Sequence, residues 1–175
     1  MESIYLIVVV FLLILAIFDL FVGVSNDAVN FLNSAIGAKV AKFRTVLIIA
    51  SLGVVVGAVM SAGMMDVARH GIMNPSHFTF NECMTVFLAV MVTDVIILDV
   101  FNTLGLPTST TVSLVFELLG GTFILALLKM NADPELAFSD LLNSDKALSV
   151  IIAIFVSVAI AFFFGIIVQW ISRLI

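Results

Sequence analysis

Two polar stretches interrupt an otherwise apolar chain, and both carry groups able to bind ions. The first is GVSNDAVNFLNSAIG, residues 23–37, which follows about twenty nearly uniform apolar residues. On a helix starting near position 26, Asn26, Asp27 and Asn30 lie three and four apart on one face. Their carboxylate and amide oxygens are hard ligands suited to a small cation. A plainer use is capping of a broken helix end, but an acid inside a membrane is expensive and points first to function.

The second stretch is FNTLGLPTSTT, residues 101–111. Pro107 interrupts helical hydrogen bonding and biases Leu106 toward extended backbone, while Thr108, Ser109, Thr110 and Thr111 suit the start of a new helix. Hydroxyls and free backbone N–H groups at the positive end of a helix dipole form a ready anion site. Four consecutive hydroxyl residues exceed what a cap needs. Phosphate fits such a pocket well, and sulfate nearly as well. A carboxylate and a multiply charged anion repel strongly at low dielectric. No Lys or Arg lies inside the apolar runs, Lys129 only closing one of them, so the neutralising cation must come from solution, as sodium at Asp27 or a proton on it. Anion affinity that depends on a cation is symport in outline.

The elements that position these groups are membrane spans. At about 20 residues per crossing, apolar runs fall at 4–24, 45–66, 83–104, 108–129 and 147–172. The sequence therefore predicts an all-α polytopic membrane protein of about five spanning helices. Residues 25–38 are expected as a short helix or broken continuation, and 105–107 as a second break. The small residues Gly53, Gly57, Ser61, Ala62 and Gly63 form a stripe for close helix packing. Asn74-Pro75 marks a loop with solvated His70 and His77, and Trp170 with Arg173 makes an interfacial anchor pair.

The other intramembrane acids are Asp19, Asp94, Asp99 and Glu117. Asp94, Asp99 and Glu117 are candidate cavity acids: they could line the same cavity, relay protons or meet a missing half of the molecule. Hydrogen bonding within the bundle is an equally good use for each. Asp94 and Asp99 lie five apart on one helix and point away from each other, which excludes an aspartyl-protease dyad.

Composition sets the outer limits. The chain is 63% hydrophobic and 11% charged, with a mean hydropathy of +1.31, and so belongs in a bilayer. The N-terminus lacks the basic region and cleavage site of a signal peptide and reads as a retained first helix. A net charge of −5 without a basic stripe argues against nucleic-acid binding. Single Cys83 and two His support neither a disulfide nor a metal centre beyond a sodium ion at Asp27. No nucleophile and base pair suggests an enzyme, and no cofactor is expected. Lys39, Lys42, Arg44 and Arg173 against Arg69, Lys129 and Lys146 place the N-terminus outside and the C-terminus in the cytoplasm, in the plasma (inner) membrane.

These residues resemble the inorganic phosphate transporter family of sodium- or proton-coupled symporters. Asn26-Asp27-Ala28-Val29-Asn30 through Gly37 keeps that family's Asn-Asp-x-x-Asn spacing and terminal Gly, and Gly105-Leu106-Pro107-Thr108-Ser109-Thr110-Thr111 matches Gly-x-Pro-x-Ser-Thr-Thr. The similarity covers roughly residues 10–130. It implies a broken first region and a re-entrant or half-helix region meeting near the midplane. Asp27, Asn30 and Asn26 would hold the cation; Ser109, Thr110 and Thr111, with Asn26, the phosphate. Departures are Val112 for the family's His, Phe116 and Glu117 for small residues, Asn33 for Gly, and Gly23 displaced by one.

The family carries two inverted copies of this unit, and here each motif occurs once. Residues 1–175 therefore read as one repeat, the N-terminal one, of an inverted-repeat transporter. Its expected partners are inorganic phosphate, sodium or a proton, the lipid bilayer, and a second repeat or homo-oligomer partner. The competing expectation is an incomplete fragment, or a membrane scaffold subunit without transport of its own.

Overall fold

A computed structural model describes residues 2–63 and 71–174. The expected solvation of His70 and the placement of Arg69 lie outside the described residues. Those residues are helical apart from turns and one isolated antiparallel bridge, Met73 with Leu142. The helices are α1 (Glu2–Gly37), α2 (Phe43–Val59), α3 (Phe80–Leu104), α4 (Thr110–Ala132), the single turn α5 (Phe138–Leu141) and α6 (Ser144–Ser172). Four are long and apolar enough to cross a membrane, and α2 is a shorter apolar helix. The polytopic all-α architecture is as the sequence predicts.

One expected feature is absent. α1 runs unbroken for 36 residues through Ser25–Asn30 and on to Gly37, so the first stretch is neither a separate short helix nor a break. The physical reason lies in where the polar side chains turn. Ser25 Oγ bonds back to Phe21 O at 2.7 Å within the helix, and Asn26 and Asn30 reach across to another element instead of competing for their own backbone. At 1.5 Å per residue α1 is about 54 Å long.

The second break is present. α3 ends in Gly105 at φ 68°, a left-handed conformation that a residue with a Cβ adopts at a cost. α4 begins after Ser109, whose Oγ accepts the Val112 N–H at 3.4 Å. At the other end of α3, Thr79 and Glu82 form a capping box, and Lys129 near the end of α4 pairs with Glu82 at 3.0 Å.

α1 lies parallel to α3: Tyr5 meets Phe80 edge to face at 5.3 Å near their starts, and Asn26 bonds Asn102 near the far end. α4 returns antiparallel against α3. Gly121 lets them approach, since a Cβ there would sit 3.2 Å from Val86 Cγ1. Buried Val86, Val90, Val115 and Leu118 fill this seam. The loop before α3 is tied to the segment before α6 by Asn74 N to Leu141 O at 3.1 Å and Asn143 N to Ile72 O at 2.9 Å. Asn74-Pro75 does open a loop, with an exposed His77 in its single 3-10 turn.

The outer helices are loosely attached. Nothing lies within 4 Å of a Cβ built on Gly53, Gly57 or Gly63, so the small-residue stripe does not mediate close packing among the described residues. α6 touches the bundle near its start, through Ala147 and Val150, and from Phe155 to Leu174 every residue is exposed. Trp170 and Arg173 both lie on this exposed end.

Candidate ion site at the α3–α4 break

One side chain of α1 makes more bonds to the break than any other described residue of that helix. Asn26 is 4% exposed and uses its whole amide. Nδ2 donates to Asn102 Oδ1 at 2.7 Å and to Leu106 O at 3.4 Å. Oδ1 accepts the Thr108 N–H at 3.1 Å and Asn30 Nδ2 at 3.3 Å. Two donors and two lone pairs are all that an amide offers. Asn30 Nδ2 also reaches Thr108 O at 2.9 Å, and Asn102 Nδ2 reaches Val22 O at 3.2 Å on the next turn of α1. In the extended peptide between Gly105 and Ser109, Leu106 O and both backbone groups of Thr108 thus find their hydrogen bonds on α1, as irregular backbone away from water must.

Beside this bracket an acid on α1 meets the start of α4. Thr110 Oγ1, on the first turn of α4, donates to Asp27 Oδ2 at 3.0 Å. The contact depends on Gly23, where a Cβ would sit 3.2 Å from Thr110 Cγ2. A cavity of about 420 Å³ opens on the bracket, lined by Asn26, Asn30, Asn33, Asn102 and the Gly105–Pro107 turn. Its amides offer neutral donors and acceptors, and Asp27 with the α4 N-terminus adds one negative and one positive pole close by.

The residues singled out in the sequence therefore meet, although not all with free ligand atoms. Asp27, Asn30 and Thr110 come together. Ser109 serves as the α4 cap and Thr111 is exposed beside it. The Thr108 N–H, expected to be free for an anion, is taken by Asn26. Asn26 itself has no donor or acceptor left over in this arrangement. Sequence reasoning passed over Asn102, whose signal was a lone amide three residues before the Gly that ends an apolar helix.

Of the remaining acids, Asp94 and Glu117 form a second group with Asp19, while Asp99 does not join it. Asp94 on α3 is 2% exposed and lies within hydrogen-bonding reach of Asp19 on α1 and Glu117 on α4. Ser113 Oγ donates to Glu117 Oε1 at 2.8 Å. Asp99 is exposed, about 140° around α3 from Asp94. Glu117 is seven residues beyond Thr110 and Asp19 eight before Asp27, which separates this group from the Asp27–Thr110 pair by about 10–12 Å along the helices.

Compared with known protein families, residues 23–175 match the phosphate transporter family. No curated protein and no solved structure matches the chain.

Proposed function

The chain belongs to the phosphate transporter family, and from that premise we propose that it moves inorganic phosphate across the membrane together with a cation. The observation that carries this reading is the 3.0 Å bond from Thr110 Oγ1 to Asp27 Oδ2, which joins an acid to the hydroxyl-rich start of a helix. Asp27, with Asn30 beside it, holds the cation as sodium or as a proton. Thr110, Thr111 and Ser109 face the phosphate with the first N–H groups of α4. The cation screens the carboxylate from the anion, so each ligand raises the affinity of the other. Asn26 and Asn102 position the two halves of this site.

The unit acts with a second, inverted one, either a further repeat or another copy of the chain. Supporting this are the single copy of each motif, the open cavity at the bracket, and the uncovered length of α6. The bracket end of α1 faces the cytoplasm in this reading, which the charges of Lys39, Lys42 and Arg44 just beyond it support.

Counterflow of labelled phosphate in liposomes, with and without sodium and at two proton gradients, is the direct test. Stimulated exchange under one gradient is expected; no exchange under any of them rejects the reading. Sulfate competing as well as phosphate would reassign the anion.

A further inference from the structure

The three acids in the middle of the bundle lie outside the Asp27–Thr110 site. Asp19, Asp94 and Glu117 come from three different helices, and Asp94 at their centre is 2% exposed. Asp19 Oδ1, Asp94 Oδ1 and Glu117 Oε2 are all shut off from solvent and have no hydrogen-bond partner among the described residues. An ionised carboxylate only accepts, so two carboxyls in mutual hydrogen-bonding reach need a proton between them. Unpartnered oxygens are costly at this depth, and each is satisfied when a neighbouring carboxyl is protonated.

Among the described residues no counter-charge faces the trio. Besides the trio, α1, α3 and α4 carry Glu2, Asp27, Glu82, Asp99 and Lys129 as their only charged residues, and no His or Arg. Asp27 is bonded to Thr110, Asp99 is exposed on another face, and Lys129 is paired with Glu82 three turns from Glu117. Three like charges at low dielectric without a counter-charge repel too strongly to coexist. Among the described residues no three His, Cys, Asp or Glu side chains are disposed to hold a metal ion.

We infer that Asp19, Asp94 and Glu117 form a buried proton-binding site, separate from the Asp27–Thr110 site, in which protons are shared among three carboxyls. The inference stands whether or not phosphate is the cargo. Removing the shared protons sets like charges between α1, α3 and α4, the same three helices that the Asn26 bracket and its neighbouring Thr110 bond tie together. Proton occupancy thereby bears on how closely the bracket closes.

A hydrophobic carbodiimide, which reacts with protonated carboxyls in apolar surroundings, reads this directly on the purified full-length chain in liposomes. Peptide mass spectrometry should find label on one or more of the three acids. The label should fall about tenfold or more as the pH is raised from mildly acidic to alkaline and stay unchanged by sodium at constant pH. Infrared spectra of the same preparation should show a protonated-carboxyl band that D94N/E117Q lacks. Absence of label at every pH, or protection by sodium at constant pH, would overturn the assignment. So would a native spectrum without the band, a reading that does not depend on the variant folding.

Discussion

Asn26 holds four groups with one amide, and two of them, Leu106 O and the Thr108 N–H, belong to the α3–α4 break. Asn26→Ala leaves the Thr108 N–H and Asn102 Oδ1 without their partner on α1, although Asn102 Nδ2 keeps its bond to Val22 O. The expected loss is about 2 kcal/mol of stability, measured as a lowered unfolding midpoint in detergent. Phosphate exchange should disappear with it. Asp27→Asn is of another kind: the amide can still accept from Thr110, so the fold should persist while cation-stimulated exchange is lost. Unchanged stimulation in that variant would remove Asp27 from the mechanism. Gly23 supplies a sharper geometric check. Gly23→Ala should impair exchange by crowding Thr110 Cγ2, and adding Thr110→Ser, which deletes that methyl and keeps the hydroxyl, should restore it. Failure of the second change to rescue would mean that the close approach of α1 to α4 is not what matters.

At the scale of elements, Gly105 at φ 68° sets the direction in which the chain leaves α3. Gly105→Ala should cost about 1 kcal/mol, read in the same unfolding assay, because the left-handed conformation is unfavourable for a residue with a Cβ. This turn was legible in the sequence: Gly before Leu-Pro, followed by hydroxyl residues, has no good alternative to a stop and a restart. The five apolar helices were legible for the same reason, being long runs bounded by charge and turn residues. The continuity of α1 was not legible. Asn and Asp next to one another break a helix when they bond their own backbone and leave it intact when they bond another element, and the choice rests on Asn102, Leu106 and Thr108, about eighty positions away. The meeting of Asp19, Asp94 and Glu117 was hidden likewise, since it depends on the parallel register of α1 and α3. The glycines of α2 suggested a packed face, yet whether a partner exists to cover a stripe is not written in the stripe.

For the whole molecule, the uneven attachment of its helices is the main fact. α1, α3 and α4 form the packed unit, while most of α6 has no neighbour among the described residues. If a second unit covers α6, cysteines placed on its exposed face near Phe162 should cross-link between chains in native membranes, whereas monomers alone would leave α6 to lipid.

The length of α1 carries a consequence of its own. A straight rod of about 54 Å cannot stand upright and hidden in about 30 Å of hydrocarbon. Upright, it exhausts the oily layer near Val24, and Asn26, Asp27 and Asn30 emerge among the headgroups, where water competes for every ligand. Leaning, it draws them back into drier surroundings, where the same contacts are stronger. Lipid chain length thereby becomes a control on ion affinity, with thicker bilayers burying the amides and thinner ones wetting them. Exchange measured across vesicles of graded acyl length should pass through an optimum, and a flat profile would mean that α1 keeps its tilt regardless of the lipid around it.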